Sequence, residues 1–155
     1  MNSKVLYTGA MTTISQSAIL PYSAEVMFNL VNDIEAYPLF MHGCQGAEII
    51  SANANEVVAR LELGKAGFKY AFTTRNHLRP PDCIEMALVE GPFKKFAAKW
   101  TFVALTEAAS KTSLDMQFEF RAGIIDMALR KLFEATSKDL VNAISKRAAH
   151  LYGIK

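Results

Sequence analysis

Apolar and polar positions change period along the chain. Between Gly46 and Arg121 they alternate with period two, and turn chemistry recurs at Asn53-Ala54-Asn55, Gly64 to Gly67, Pro80-Pro81-Asp82, Gly91-Pro92 and Thr106 to Ser110. Such punctuation between short alternating runs predicts consecutive antiparallel strands. Six are expected, at about 46–52, 56–63, 67–78, 83–90, 94–105 and 111–121. Upstream, Thr12 to Leu20 alternates weakly and reads as one more strand, stopped by Pro21. Ser23 can then cap a helix, with Glu25 in its first turn, where the dipole favours an anion. Val26, Met27, Leu30 and Val31 follow at helical spacing, and Asp33 opens a second, short helix that Tyr37-Pro38 ends. From Ile124 to Tyr152 the period is helical again. Ile125, Leu129, Leu132, Phe133, Leu140, Ala143, Ile144 and Leu151 fall on one arc, opposite Arg130, Lys131, Glu134, Lys138, Asp139 and Lys146.

Parity sorts the strand residues onto two faces. Phe68, Tyr70, Phe72, Met86, Phe96, Trp100, Phe102, Met116, Phe118 and Phe120 share one; Lys69, Arg75, His77, Lys99, Asp115, Gln117 and Glu119 share the other. A sheet with one apolar face and a helix with one apolar arc bury each other. The expected fold is therefore α+β: a curved antiparallel sheet of about seven strands wrapped around one long C-terminal helix, in the order β-α-α-β6-α. Residues 12–155 form a single domain. Residues 1–11 precede the patterned chain and are expected to be a loosely ordered, disordered extension.

With 155 residues, 51% of them hydrophobic and 21% charged, the chain can bury a core and is not intrinsically disordered. Seventeen basic and fifteen acidic residues leave a net charge of +2, too little for bulk attraction to nucleic acid. Cys44 and Cys83 are too few for a disulfide framework. The first eleven residues lack a signal-peptide pattern, and no run approaches the ~18 apolar residues of a membrane span. A soluble, cytoplasmic protein is expected.

Catalytic chemistry finds little support. There is no nucleophile elbow, and His77 and His150 have no evident partner. His42-Gly43-Cys44 does not complete a metal-ligand set. Gly64 and Gly67 fall in a hairpin, not at the helix N-terminus that phosphate loops use. No catalytic residue and no metal site is expected. Most basic residues share the outer sheet face with acids, where opposite charges pair across strands. Lys94 and Lys95 differ, because they form a compact basic turn. Arg147 falls within the apolar arc of the last helix. It either snorkels to the surface or anchors a ligand inside the grip. The aromatic face suits a packed core or the wall of a cavity equally well.

Several segments together carry a resemblance: Pro21-Tyr22-Ser23-Ala24-Glu25, Val31 to Pro38, Phe40-Met41-His42-Gly43-Cys44, Phe72 to Asn76, Gly91-Pro92-Phe93-Lys94-Lys95, Trp100-x-Phe102, Phe118-Glu119-Phe120 and Arg147-Ala148. From about Thr12 to Tyr152 the chain resembles the coenzyme Q-binding and ribosome-association-toxin family of the START-like, polyketide-cyclase-like superfamily. It is most similar to the bacterial toxin branch. It departs at Met41 and His42, where leucine and proline are usual.

The resemblance implies a helix-grip fold with a hydrophobic tunnel, and no covalent cofactor. The first expectation is a non-catalytic carrier of ubiquinone or a related polyprenyl lipid, supporting respiration. Its cavity would be lined by Tyr37, Phe40, Phe68, Tyr70, Phe72, Met86, Phe96, Trp100, Phe102, Met116, Phe118, Phe120, Leu132, Leu140 and Arg147. Such a carrier would touch a membrane surface transiently, peripheral at the inner membrane. The alternative is a toxin that binds the large ribosomal subunit through Lys94 and Lys95 and blocks subunit joining. A small-molecule cyclase is the third reading. No DNA partner is expected.

Overall fold

The computed structural model describes residues 2–65, 67–123 and 127–153, and of Phe68 the backbone alone. Eight antiparallel strands form one sheet: β1 (Asn2–Thr8), β2 (Met11–Leu20), β3 (Cys44–Ala52), β4 (Glu56–Lys65), β5 (Phe68–Arg79), β6 (Cys83–Glu90), β7 (Phe93–Thr106) and β8 (Ala109–Phe120). Their spatial order is β1-β2-β8-β7-β6-β5-β4-β3. Between β2 and β3 lie α1 (Ala24–Asn32) and a 3-10 helix (Ile34–Leu39); α2 (Met127–Tyr152) follows β8. The antiparallel sheet around a long C-terminal helix expected from the alternation, and the helix-grip fold implied by the resemblance, are what the chain adopts. Ser23 caps α1, its hydroxyl accepting from the Val26 N–H at 3.1 Å. Ile124 to Asp126, expected to open the last helix, lie outside the described residues.

The N-terminal expectation is corrected. Residues 2–8 are not a loose extension; they pair along their whole length with β2, from Asn2 opposite Ser17 to Thr8 opposite Met11. The sheet therefore has eight strands, one more than expected. The strand is also tied to the last helix. The Tyr7 hydroxyl donates to Glu134, which Lys138 also contacts at 2.9 Å. Burial raises the Glu134 carboxyl, but the Tyr7 and Lys138 hydrogen bonds outweigh it and hold the group below its ordinary 4.5. A depressed carboxyl stabilises the fold above its unfolded pKa and loses that contribution as pH falls through the folded one. Tyr7→Phe should therefore lower the urea midpoint at neutral pH, and the difference from wild type should shrink on acidification below 4.5. A difference independent of pH would show that the ion-pair cluster does not hold β1 to α2.

Register shifts in β3, β6 and β7 bend the sheet around its apolar face. The core sits in that concavity: Ile14, Leu63, Trp100, Leu114 and Phe118 from the strands, Met27 and Val31 from α1, and Phe133, Val141 and Ile144 from α2 are all buried. Several polar side chains are buried there too, and one of them engages α2 directly. Gln16, 3% exposed, donates through Nε2 to the Ser137 carbonyl and accepts the Val141 N–H through Oε1. Those two backbone groups are an i, i−4 pair, so the Gln16 amide sits across the hydrogen-bond ladder of α2. Thr136, next to it, donates to the His42 carbonyl at 2.9 Å. Polar groups thus fix where α2 lies along the sheet.

Candidate functional site

Between sheet and α2, the described residues enclose a small cavity of about 40 Å³, lined by Tyr37, Met41, Leu61, Leu63, Phe72, Met86, Phe96, Trp100, Met116, Phe133, Thr136, Ser137 and Leu140. A second of about 20 Å³ shares Tyr37, Leu61, Met86 and Trp100 with it, and adds Asn32, Thr74 and Asn76. A water's share of liquid volume is about 30 Å³, and an apolar cavity that takes up benzene measures ~150 Å³.

Seven of the expected cavity residues line the larger space: Tyr37, Phe72, Met86, Phe96, Trp100, Met116 and Leu140. Phe40, Tyr70, Phe102, Phe118, Phe120 and Leu132 are not among its lining residues, and the Phe68 side chain lies outside the described residues. Phe102 packs edge-on against Phe28 of α1, with ring centroids 5.7 Å apart. Phe118 and Phe120 belong to a knot of rings around Phe133. The Phe133 centroid lies 4.9 Å from Phe93, 4.8 Å from Phe118, 5.7 Å from Phe120 and 5.9 Å from Phe72. Phe133 stands in the apolar arc of the last helix, but helical period does not reveal that it seats among strand phenylalanines.

Arg147 does not line the interior cavity. Its guanidinium lies 5.4 Å from the centre of the Phe40 ring, at the rim of an open groove with Leu39, Asp139, Lys146 and His150. The stem packs and the head stays near water, as snorkelling predicts.

Three titratable groups of the interior are shifted upward. Burial pushes the Tyr37 phenol up, with Cys44 and Asp33 adding to it, and the hydroxyl donates to the Val31 carbonyl. Burial likewise raises Tyr70. It also raises the Cys44 thiol, against a hydrogen bond to the Gly46 carbonyl. Each is held protonated, away from the activated forms that acid–base or nucleophilic chemistry uses. Among the described residues, no group of three or more His, Cys, Asp or Glu side chains could hold a metal ion.

Most cations of the outer sheet face reach a glutamate on their own or a neighbouring strand. Arg60 and Lys69 reach Glu62, Arg75 reaches Glu56, and Arg79 and Lys99 share Glu85. The open depression over Ala87 and Ala97 is rimmed by both signs, with Arg75, Glu85, Lys99 and Asp115 around it. The β6–β7 turn is different. Lys94 is not wholly unpaired as expected, since its Nζ lies 3.5 Å from Glu119. Lys95 stands opposite Glu119 in register and is exposed, with no ion pair to any described residue. The turn is joined by two arginines that spacing alone did not bring to it. The Arg121 N–H donates to the Pro92 carbonyl at 3.0 Å. Arg130 reaches the Arg121 carbonyl at 3.4 Å and lies over the Phe120 ring at 5.3 Å.

Residues 20–145 match the family described as polyketide cyclase / dehydrase and lipid transport. The ribosome association toxin RatA of Vibrio cholerae is 42% identical over 143 residues, covering 92% of this chain and 99% of that protein. A Xenopus laevis coenzyme Q-binding protein COQ10 homolog B, mitochondrial, is a more distant relative. It is 24% identical over 90% of this chain and 59% of its own length. The Zhui aromatase/cyclase from Streptomyces superposes with a TM-score of 0.79 at 20% identity, over 93% of this chain and 99% of that one.

Proposed function

We propose, for a chain that belongs to the polyketide cyclase / dehydrase and lipid transport family and within it to the RatA ribosome association toxin family, a non-catalytic role: binding the large ribosomal subunit and blocking subunit joining. The observation that carries this reading is the packing of the interior. A cavity of about 40 Å³ has room for a few waters at most and for no quinone ring, which supports reading the aromatic face as core and the outer surface as the working one. The coverage of nearly the whole RatA chain supports it, whereas the likeness to the coenzyme Q-binding protein is much weaker. The likeness to an aromatase/cyclase is one of fold, and a fold does not carry its function with it.

Quinone carriage is the competing reading, and it is testable on the same molecule. Trp100 is the single tryptophan, is buried, and lines both interior cavities. Ubiquinone titrated into purified protein should give no saturable quenching of Trp100 fluorescence. Organic extraction should release no stoichiometric lipid. Saturable one-to-one quenching together with a co-purified quinone would restore the carrier reading and displace the ribosomal one.

A further inference from the structure

The ribosomal reading leaves open which chemistry of the ribosome the protein grips. Resting on that reading, we infer that the contact is with the phosphate backbone of ribosomal RNA, through a platform made by Lys94, Lys95, Arg121 and Arg130. The antiparallel registers bring the β4–β5 turn, the β6–β7 turn and the end of β8 to one end of the sheet. That end gathers the four platform cations, with Lys65 and Lys131 exposed on the adjoining β4 end and first turns of α2. Glu90 and Glu119 are the acids at that end. The turns at the opposite end carry Asp82 and Glu107, flanked by Arg79 and Lys111.

Two further features favour an anionic partner. The cations on the β4–β7 outer face each reach a glutamate, whereas Lys95, Arg121 and Arg130 form no ion pair with any described residue. The platform is also braced. Arg121 is tied to Pro92 through the backbone, and Arg130 is held between the Arg121 carbonyl and the Phe120 ring. Groups already ordered lose less freedom on binding. RNA fits better than a ribosomal protein because a protein interface uses exposed aromatic anchors. Here Phe93 is buried and Phe120 packs against the core.

The test is binding of intact protein to purified large subunits across a salt titration, for wild type, Lys95→Gln with Arg121→Gln, and Lys111→Gln at the far end of the sheet. Both platform side chains are exposed, so thermal unfolding of the double variant should match wild type. For wild type, log affinity should fall linearly with log salt. The double variant should lose about 0.7–0.9 of slope per cation removed, and the charge-keeping pair Lys95→Arg with Arg121→Lys should restore it. Lys111→Gln should leave the slope unchanged. Protein-free large-subunit RNA should compete for wild type. If wild type binds subunits and the double variant has the same slope, the platform is wrong while the ribosomal reading stands. If the double variant loses binding but protein-free RNA does not compete, the partner is a ribosomal protein and the RNA inference is overturned. If wild type binds no subunit at all, the ribosomal reading itself falls.

Discussion

Phe133→Ala is expected to cost about 3–5 kcal/mol of folding stability, the range for truncating a fully packed phenylalanine. The ring is 2% exposed and meets phenylalanines from β5, β7 and β8. Its loss removes apolar burial, several edge-to-face contacts and the piece of α2 that closes the concave sheet. For a chain of this length the melting temperature should fall by on the order of 10 °C. The void should join the existing cavity of about 40 Å³. The variant should then bind benzene, seen as a thermal shift that wild type does not show. A loss under about 1 kcal/mol would mean that Phe133 borders a space able to close or be filled, as in a ligand tunnel. The same measurement therefore bears on fold and on function.

Reversing Lys94 and Lys95 together to glutamate should weaken binding to the large subunit by on the order of 100-fold at ~0.1 M salt. Two phosphate contacts are lost and two repulsive charges are placed beside Glu119, which already approaches Lys94 at 3.5 Å. The fold should survive, because Lys94 points outward, with 67% of its side chain exposed, and Lys95 is exposed too. Pelleting with purified subunits measures the change. Unchanged binding by a folded variant would remove this turn from the interface.

Much of the architecture was legible because alternation and turn residues coincide. All six strands expected after Gly46 are present, and their bounds differ by a few residues. The strand Asn2–Thr8 escaped because it is an edge strand with little burial on either side. Only Val5 is even half-buried, so no period marks it. Gln16, Thr136 and Ser137 escaped for the opposite reason. They are polar residues buried at the seat of α2, and their partners are backbone groups that sequence spacing does not display. Parity assigned the aromatic side chains to a face without fixing how deeply α2 sits on it. That depth decides between core and tunnel, and it depends on Phe133 meeting strand rings far away in sequence. At the basic turn, Lys94 and Lys95 could be read directly. Arg121 and Arg130 join them only because β8 ends beside Pro92 and α2 begins beside β8.

A protein that works on the ribosome through its surface, and not on a lipid through its interior, should alter subunit joining directly. The most direct test adds excess purified protein to small and large subunits under joining conditions and resolves the products on a sucrose gradient. The joined-ribosome peak should fall, free subunits should accumulate, and the protein should run with the large subunit. An undiminished joined peak, with the protein left at the top of the gradient, would contradict the ribosomal reading.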